Sequence, residues 1–299
     1  MKWILAFAGM TKYFMPYRTN YGDLPKIYSQ LATAKVVILP VSYDGTSTWG
    51  KGADKGPAAI IEASANLELY DIETDSEVYK KNIFTAEPIM GNGAPEKMAE
   101  KVKAAVAGFL KKDKLVVTLG GEHSITVGAV AAYAEKYKNL SVLQLDAHAD
   151  LRPEYQGWKY SHASAMSRVR EICPIVQVGI RSLDIIEKPF LEKGRVFYAE
   201  NICNKTDWHD KAIGKLTDKV YVTIDLDVFD PGILPSTGTP EPGGLGWYRV
   251  LEFLKKVSQK KNIVGFDVVE LCPNKNERSS DFLAAKLIYK LLSYKFSKQ

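Results

Sequence analysis

The chain has 299 residues, 46% hydrophobic and 25% charged, enough apolar material for a large core in one soluble domain. Its formal charge of +5 comes from scattered lysines, with short pairs such as Lys111-Lys112 and Lys255-Lys256 and no long basic block, so composition argues against a nucleic-acid partner. Three widely spaced cysteines, Cys173, Cys203 and Cys272, fit a reducing cytoplasmic setting better than a disulfide framework, and no apolar run approaches the roughly 20 residues that span a membrane.

In chain order, MKWILAFAGM carries a short apolar core from Trp3 to Ala8 and is read as a cytosolic leader, with Met15 as an alternative start. Residues 1–30 are assigned to this N-terminal extension and 31–299 to a single domain. Short β-branched runs follow: KVVILPV (35–41), KLVVTLG (114–120), LSVLQLD (140–146), PIVQVGI (174–180), RVFYA (195–199), KVYVTIDLD (219–227) and NIVGFDVVE (262–270). Between them, EKMAEKVKAAVAGFLKK, ITVGAVAAYAEKY, DWHDKAIGKL and WYRVLEFLKKVSQK have helical spacing. So does the closing SSDFLAAKLIYKLLSYKF, with Ser279 or Ser280 as its expected N-cap. Strands that are apolar almost throughout and alternate with helices predict an α/β fold, three layers deep, with a mainly parallel sheet. Two Gly/Pro-rich loops, GTSTWGKGADKGP (45–57) and DPGILPSTGTPEPGG (230–244), are long enough to be candidates for the rim of a site.

Parallel sheets bind ligands beyond the carboxyl ends of their strands. GGEHS (120–124), DAHAD (146–150), DLDVFDP (225–231) and DVVELCP (267–273) all fall at such ends. If the backbone stays extended, Asp146, His148 and Asp150 project to one face, as do Asp225 and Asp227. A lone Asp at a strand end is usually a cap or loop anchor, but four Asp and two His at converging ends are costly unless something neutralises them. Two divalent ions, at about +4, would balance four carboxylates at about −4. Carboxylate and imidazole donors suit Mn²⁺ and its neighbours, and a shared water of lowered pKa makes metal-assisted hydrolysis the expected chemistry.

Taken together, GGEHS, DAHAD, the SHA of YSHASAM, DLDVFDP and DVVELCP resemble the ureohydrolases, the family of arginase and agmatinase, and the resemblance runs from about PVSYDGTSTWGKGADKGPAAI to the C-terminus. It implies an arginase-like fold, two Mn²⁺ ions held by His123, Asp146, His148, Asp150, Asp225 and Asp227, and a homotrimer or homohexamer. It further implies Asp150 as a ligand that also handles a proton, His162 as a proton shuttle, and Glu270 as the carboxylate engaging a substrate guanidinium. The bland alternatives are a loop histidine packed on Tyr160 and a solvated strand-end glutamate. Gly120-Gly121 is expected to provide the turn that brings His123 in. Cys272 is expected to be a small buried thiol, and His209 a surface residue.

The segment LRPEYQGWKYSHA departs from the arginase pattern and resembles one group of agmatinases. On that resemblance Glu154 receives a distal ammonium, Tyr155, Trp158 and Tyr160 line an aliphatic pocket or pack their loop, and Glu241 is a second recognition group. Agmatine, giving putrescine and urea in polyamine biosynthesis, is the expected substrate. N1-aminopropylagmatine, 4-guanidinobutyrate and arginine are its rivals, with Arg152 available to a carboxylate. A non-catalytic metal-binding relative and a two-metal phosphoesterase are the readings from other classes. The first should have lost ligands, and the second needs a phosphate clamp that the motifs lack.

Overall fold

Along the first strand, β1 (Val36–Ser42), successive side chains enter two different cores: Val36 and Ile38 join one, Val37, Leu39 and Val41 the other. That alternation is what a strand covered on both faces requires. A computed structural model describes residues 20–297 and shows the central strands of the sheet built this way. The remaining strands are β2 (Ile83–Thr85), β3 (Ile89–Met90), β4 (Leu115–Leu119), β5 (Leu140–Leu145), β6 (Ile175–Ile180), β7 (Val196–Tyr198), β8 (Lys219–Asp225) and β9 (Asn262–Val269). Their order is β2-β1-β4-β9-β8-β5-β6-β7, with β3 also pairing β1, and every ladder between them is parallel.

The helices are α1 (Gly56–Ser64), α2 (Pro95–Leu110), α3 (Ile125–Lys136), α4 (Ala165–Val169), α5 (Ala199–Ile202), α6 (His209–Ile213), α7 (Trp247–Lys260) and α8 (Ser279–Phe296). Residues of α2, α3 and α4 share one core, and residues of α1, α6, α7 and α8 share the other, so the sheet lies between two helical layers. Pro57 and Pro95 open their helices in the first turn, where a missing N–H costs nothing. Among the described residues no helix is long and apolar enough to cross a membrane.

The seven expected strands and five expected helical segments all appear, the α6 segment only as a short turn of helix. The three- and two-residue strands β2 and β3 and the short α4 and α5 were not expected, being too brief to show a period, and neither was α1, a nine-residue helix that starts at the end of the first Gly/Pro loop. Several details differ from expectation. Residues 20–30 belong to the body: Tyr21 is fully buried and its hydroxyl donates to Ala285 O at 2.7 Å. The leader residues and Met15 lie outside the described residues. Helix α8 is capped from before its first turn, by Glu277 accepting Ser279 N–H, rather than by a serine side chain. His209 is buried against Trp208 and Phe253, because α6 lies with that face under α7.

Candidate active site and metal centre

The four strands whose ends carry the polar motifs, β4, β9, β8 and β5, are the four adjacent strands in the middle of the sheet. Segments far apart in the chain therefore end on one patch of its rim. The route to that patch is not the extended backbone expected. Strand β5 stops at Leu145, before Asp146, and Asp227 lies in a 3-10 turn (Leu226–Val228) rather than on β8. Asp150 and Glu270 both have left-handed backbones, with φ of 52° and 66°, a conformation costly for residues with a Cβ and common at functional sites.

Gly120 and Gly121 serve by thinness rather than by turning, since neither has positive φ. A Cβ on Gly121 would lie 2.2 Å from Tyr43 O, so only glycine lets this loop pass against β1's extension. Gly179 does need its freedom. Its φ is +97°, and a Cβ there would lie 2.9 Å from Asp146 O.

His123 is buried at the centre. Its Nδ1 lies 3.0 Å from Asp150 Oδ2, 3.2 Å from Asp146 Oδ2 and 3.5 Å from Asp225 Oδ2. On the far side of the ring, Nε2 lies 2.9 Å from Thr223 Oγ1, and Thr223 donates its hydrogen to Asp267 Oδ1 at 2.6 Å. Thr223 is thus the acceptor for Nε2–H, and Nδ1 carries a lone pair pointed at carboxylate oxygens. It has no hydrogen-bond partner among the described residues. An unpartnered buried nitrogen amid carboxylates is what a cation site presents.

Beside it, His148 Nδ1 lies 2.8 Å from Asp227 Oδ2, and Asp227 Oδ1 accepts Ala147 N–H at 2.9 Å. Two donor groups result, His123–Asp146–Asp225 and Asp146–His148–Asp227, each with ligand atoms within 4.8 Å of one another and both sharing Asp146. The residues therefore fit a pair of divalent ions, with oxygen and imidazole donors and no thiolate. Asp146 is aimed by Gln144, whose amide donates to Oδ2 at 2.7 Å and is itself held by Gln177 at 2.6 Å.

The electrostatics are those of crowded like charges. Burial, then Asp227 and Asp150, push Asp146 up to about 7. Burial, then the same Asp227 and Asp146, raise Asp225 well above the carboxylate range. Burial opposes charge on the two imidazoles, but the surrounding aspartates win, raising His123 and taking His148 to about 11. Burial works to raise Asp227, but His148, Ala147 N–H and Asp225 together outweigh it and lower the group. Glu270 accepts His123 N–H at 2.7 Å and is raised by burial and then by Glu122, which burial itself pushes to about 7.

A cavity of about 310 Å³ opens over this cluster. His148, Asp150, Asp225, Asp227, His162 and Glu270 line it, and the two Gly/Pro loops form part of its wall through Ser47–Gly50 and Gly238–Thr239, joined by Gly50 N–H to Gly238 O at 3.2 Å. Cys272 is partly buried, its Sγ 3.7 Å from Gly50 O.

Not every expected residue arrives. Glu154 is exposed and does not line the cavity, because the 155–158 turn carries it outward. Trp158 is exposed, and Tyr160 packs against the core. Glu241 stays at the rim, Oε1 3.7 Å from His148 Nε2. Tyr155 does line the cavity, edge-on to His162. Arg152 is occupied, pairing with Asp184 at 3.1 Å and lying 4.8 Å over the Tyr155 ring.

The cavity's unexpected acids are Asp184 and Glu187. Glu187 is buried and accepts Leu151 N–H at 2.7 Å and Asp184 N–H at 2.6 Å. They follow strand β6, so the strand-end rule that found the other motifs would have found RSLDIIE as well.

Residues 34–293 match the model of the arginase family. The chain belongs to the arginase family. It is thus a ureohydrolase, a hydrolase of guanidino compounds. It is 39% identical to an N(1)-aminopropylagmatine ureohydrolase of Synechocystis, over 88% of this chain and 90% of that one. It is also 39% identical to one of Thermus thermophilus, over 93% and 95%. The crystal structure of the agmatine ureohydrolase of Thermoplasma volcanium superposes with a TM-score of 0.81 at 30% identity, covering 89% of this chain and 92% of the other. These ureohydrolase relatives agree with the fold expected from the motifs.

Proposed function

We propose that this ureohydrolase cleaves a guanidino-amine of the polyamine class. N1-aminopropylagmatine, which would give spermidine and urea, is the favoured substrate. The observation that carries this reading is the wall of the cavity away from the donor cluster, where Asp184 and the buried Glu187 present carboxylates to a substrate's distal cationic end. Two carboxylates face a single cation, Arg152, among the described residues of this wall, so even with Arg152 paired to Asp184 the wall stays net negative: a distal ammonium can join that pair, whereas a substrate carboxylate would meet like charge. The 39% identity to two aminopropylagmatine ureohydrolases supports the longer substrate. Agmatine is the second reading, favoured by the likeness to the Thermoplasma structure and needing a shorter reach.

His123, Asp146, His148, Asp150, Asp225 and Asp227 would hold two Mn²⁺ ions, which supply Lewis acidity and a water of lowered pKa. The protein's own groups do the rest. Glu270, fixed by His123 N–H, holds the guanidinium NH groups through its carboxylate and sets the angle at which the planar carbon is presented. Asp150 accepts a proton and passes it to the leaving amine. His162, half-buried at one side of the cavity and held below its usual pKa by desolvation, relays protons to solvent from a neutral resting state. Tyr155 shields the aliphatic chain. A cytoplasmic homotrimer or homohexamer belongs to the same proposal and is supported by family membership.

Turnover in H₂¹⁸O tests the reaction type. The label is expected in urea and absent from the amine, as attack of water at the guanidinium carbon requires. Release of unlabelled urea would sink the hydrolytic reading.

A further inference from the structure

One hydroxyl in the first Gly/Pro loop governs the ring of His162. Thr46 Oγ1 donates to Glu122 Oε1 at 2.8 Å, accepts the backbone N–H of His162 at 2.9 Å, and lies 3.0 Å from Nδ1 of the same residue. Glu122 is fully buried, and its second oxygen is held by Ser124 N–H at 2.7 Å. A threonine hydroxyl has one hydrogen and two lone pairs. With Glu122 as a carboxylate, as at the alkaline pH of the test below, the hydrogen is committed to Glu122 and one lone pair to the backbone N–H, so the role left toward the ring is that of acceptor. Nδ1 must then carry the hydrogen, and Nε2 must be bare.

We propose that Thr46 and Glu122 are positioning residues that hold His162 as its Nδ1–H tautomer, leaving Nε2 as the ring nitrogen that exchanges protons with the cavity. The inference rests on the shuttle role given to His162 above. Neither Thr46 nor Glu122 lines the cavity over the donor cluster, and they act through the ring. Tyr155, edge-on to the imidazole with centroids 5.8 Å apart at 87°, resists its rotation from the other side. The proton balance is simple. Nε2 takes one proton from the site to give the imidazolium, Nδ1–H stays bonded to Thr46, and the same Nε2 proton leaves to water. No transfer between ring nitrogens intervenes, so the shuttle returns to its starting tautomer in each cycle.

Long-range ¹H–¹⁵N correlation spectra of the full-length, histidine-labelled chain test this. The chain is loaded with diamagnetic Zn²⁺ or Mg²⁺ and studied at alkaline pH, and His162→Gln assigns the ring. The wild type is expected to show the Nδ1–H pattern for His162. Thr46→Val should convert it to Nε2–H or to an exchange average, and Thr46→Ser should restore it. In the manganese-loaded enzyme, Thr46→Val should lower kcat about 10-fold with KM within about 2-fold, and Thr46→Ser should recover it. A wild-type ring in the Nε2–H form, or a Thr46→Val ring unchanged from wild type, overturns the proposal. Should Thr46→Val not fold, the wild-type spectrum still decides. That spectrum needs no turnover, so its failure is separate from failure of the hydrolase reading, which absence of urea from the wild type would show.

Discussion

Asp150 Oδ2 and His123 Nδ1 stand 3.0 Å apart with acceptor facing acceptor, because Thr223 already takes the hydrogen from the other side of the imidazole. Such a contact is repulsive unless a cation or a proton lies within it. Asp150 reaches the position only through a left-handed backbone, with φ of 52°. Strain of this kind persists where the surroundings dictate it, and here they converge on the cluster shared through Asp146.

Because Asp146 belongs to both donor groups, Asp146→Asn should lose both ions, while Asp227→Asn, which belongs to one, should retain one. Metal content per chain after dialysis, measured by inductively coupled plasma mass spectrometry, reads the difference. Equal retention in the two variants would contradict the shared-ligand geometry.

Thr223→Val removes the acceptor that fixes the His123 tautomer while keeping the side chain's shape. Loss of such a supporting bond typically costs about 10–100-fold in metal affinity. Competition with a calibrated chelator should show a loss in that range, with the far-ultraviolet circular dichroism unchanged.

Asp184→Asn should raise KM for N1-aminopropylagmatine about 10–100-fold, the worth of one charge-assisted hydrogen bond, and leave kcat within a few-fold. Glu154→Gln, on an exposed residue outside the cavity, should be near neutral. Steady-state kinetics on the pair distinguish the two acids, and the reverse pattern would return the recognition role to Glu154.

His209 is buried with neither ring nitrogen hydrogen-bonded among the described residues, and desolvation, followed by Lys256, lowers its pKa to about 4. The unfolded chain titrates near 6.5, so between about 6.5 and 4 the unfolded state binds the extra proton. Stability contributed by the neutral ring is present above that window and is lost as pH falls through it, by up to about 3 kcal/mol. His209→Phe should flatten the acid side of the Tm profile over this interval. A mutant profile parallel to wild type would show that the ring is not responsible.

Much of this molecule is legible in the chain because strands covered on both faces are apolar from end to end, and helices between them repeat at their own period. The same rule placed GGEHS, DAHAD, DLDVFDP and DVVELCP at strand ends, and the sheet brings those four ends side by side. Local geometry was less legible. The alternate spacing of Asp146, His148 and Asp150 suggested an extended strand, yet β5 ends before them and the segment beyond it is irregular, bridged to Ser182 at His148 and left-handed at Asp150. Glu154 looked well placed by its distance from Asp150, but it lies exposed beside the short turn between Tyr155 and Trp158, and the acids that line the cavity, Asp184 and Glu187, follow β6 instead. His209 has polar neighbours in sequence and apolar ones in space. Contacts between distant segments, such as Thr46 with His162, carry no local signature at all.

The central claim is that this ureohydrolase acts on a guanidino-amine of the polyamine class. The most direct measurement is kcat/KM for urea release by the manganese-loaded protein on N1-aminopropylagmatine, agmatine, arginine and 4-guanidinobutyrate under identical conditions. The two amines should lead, with N1-aminopropylagmatine first and the two carboxylates at least about 100-fold lower. Equal or greater kcat/KM for arginine or 4-guanidinobutyrate would contradict the account.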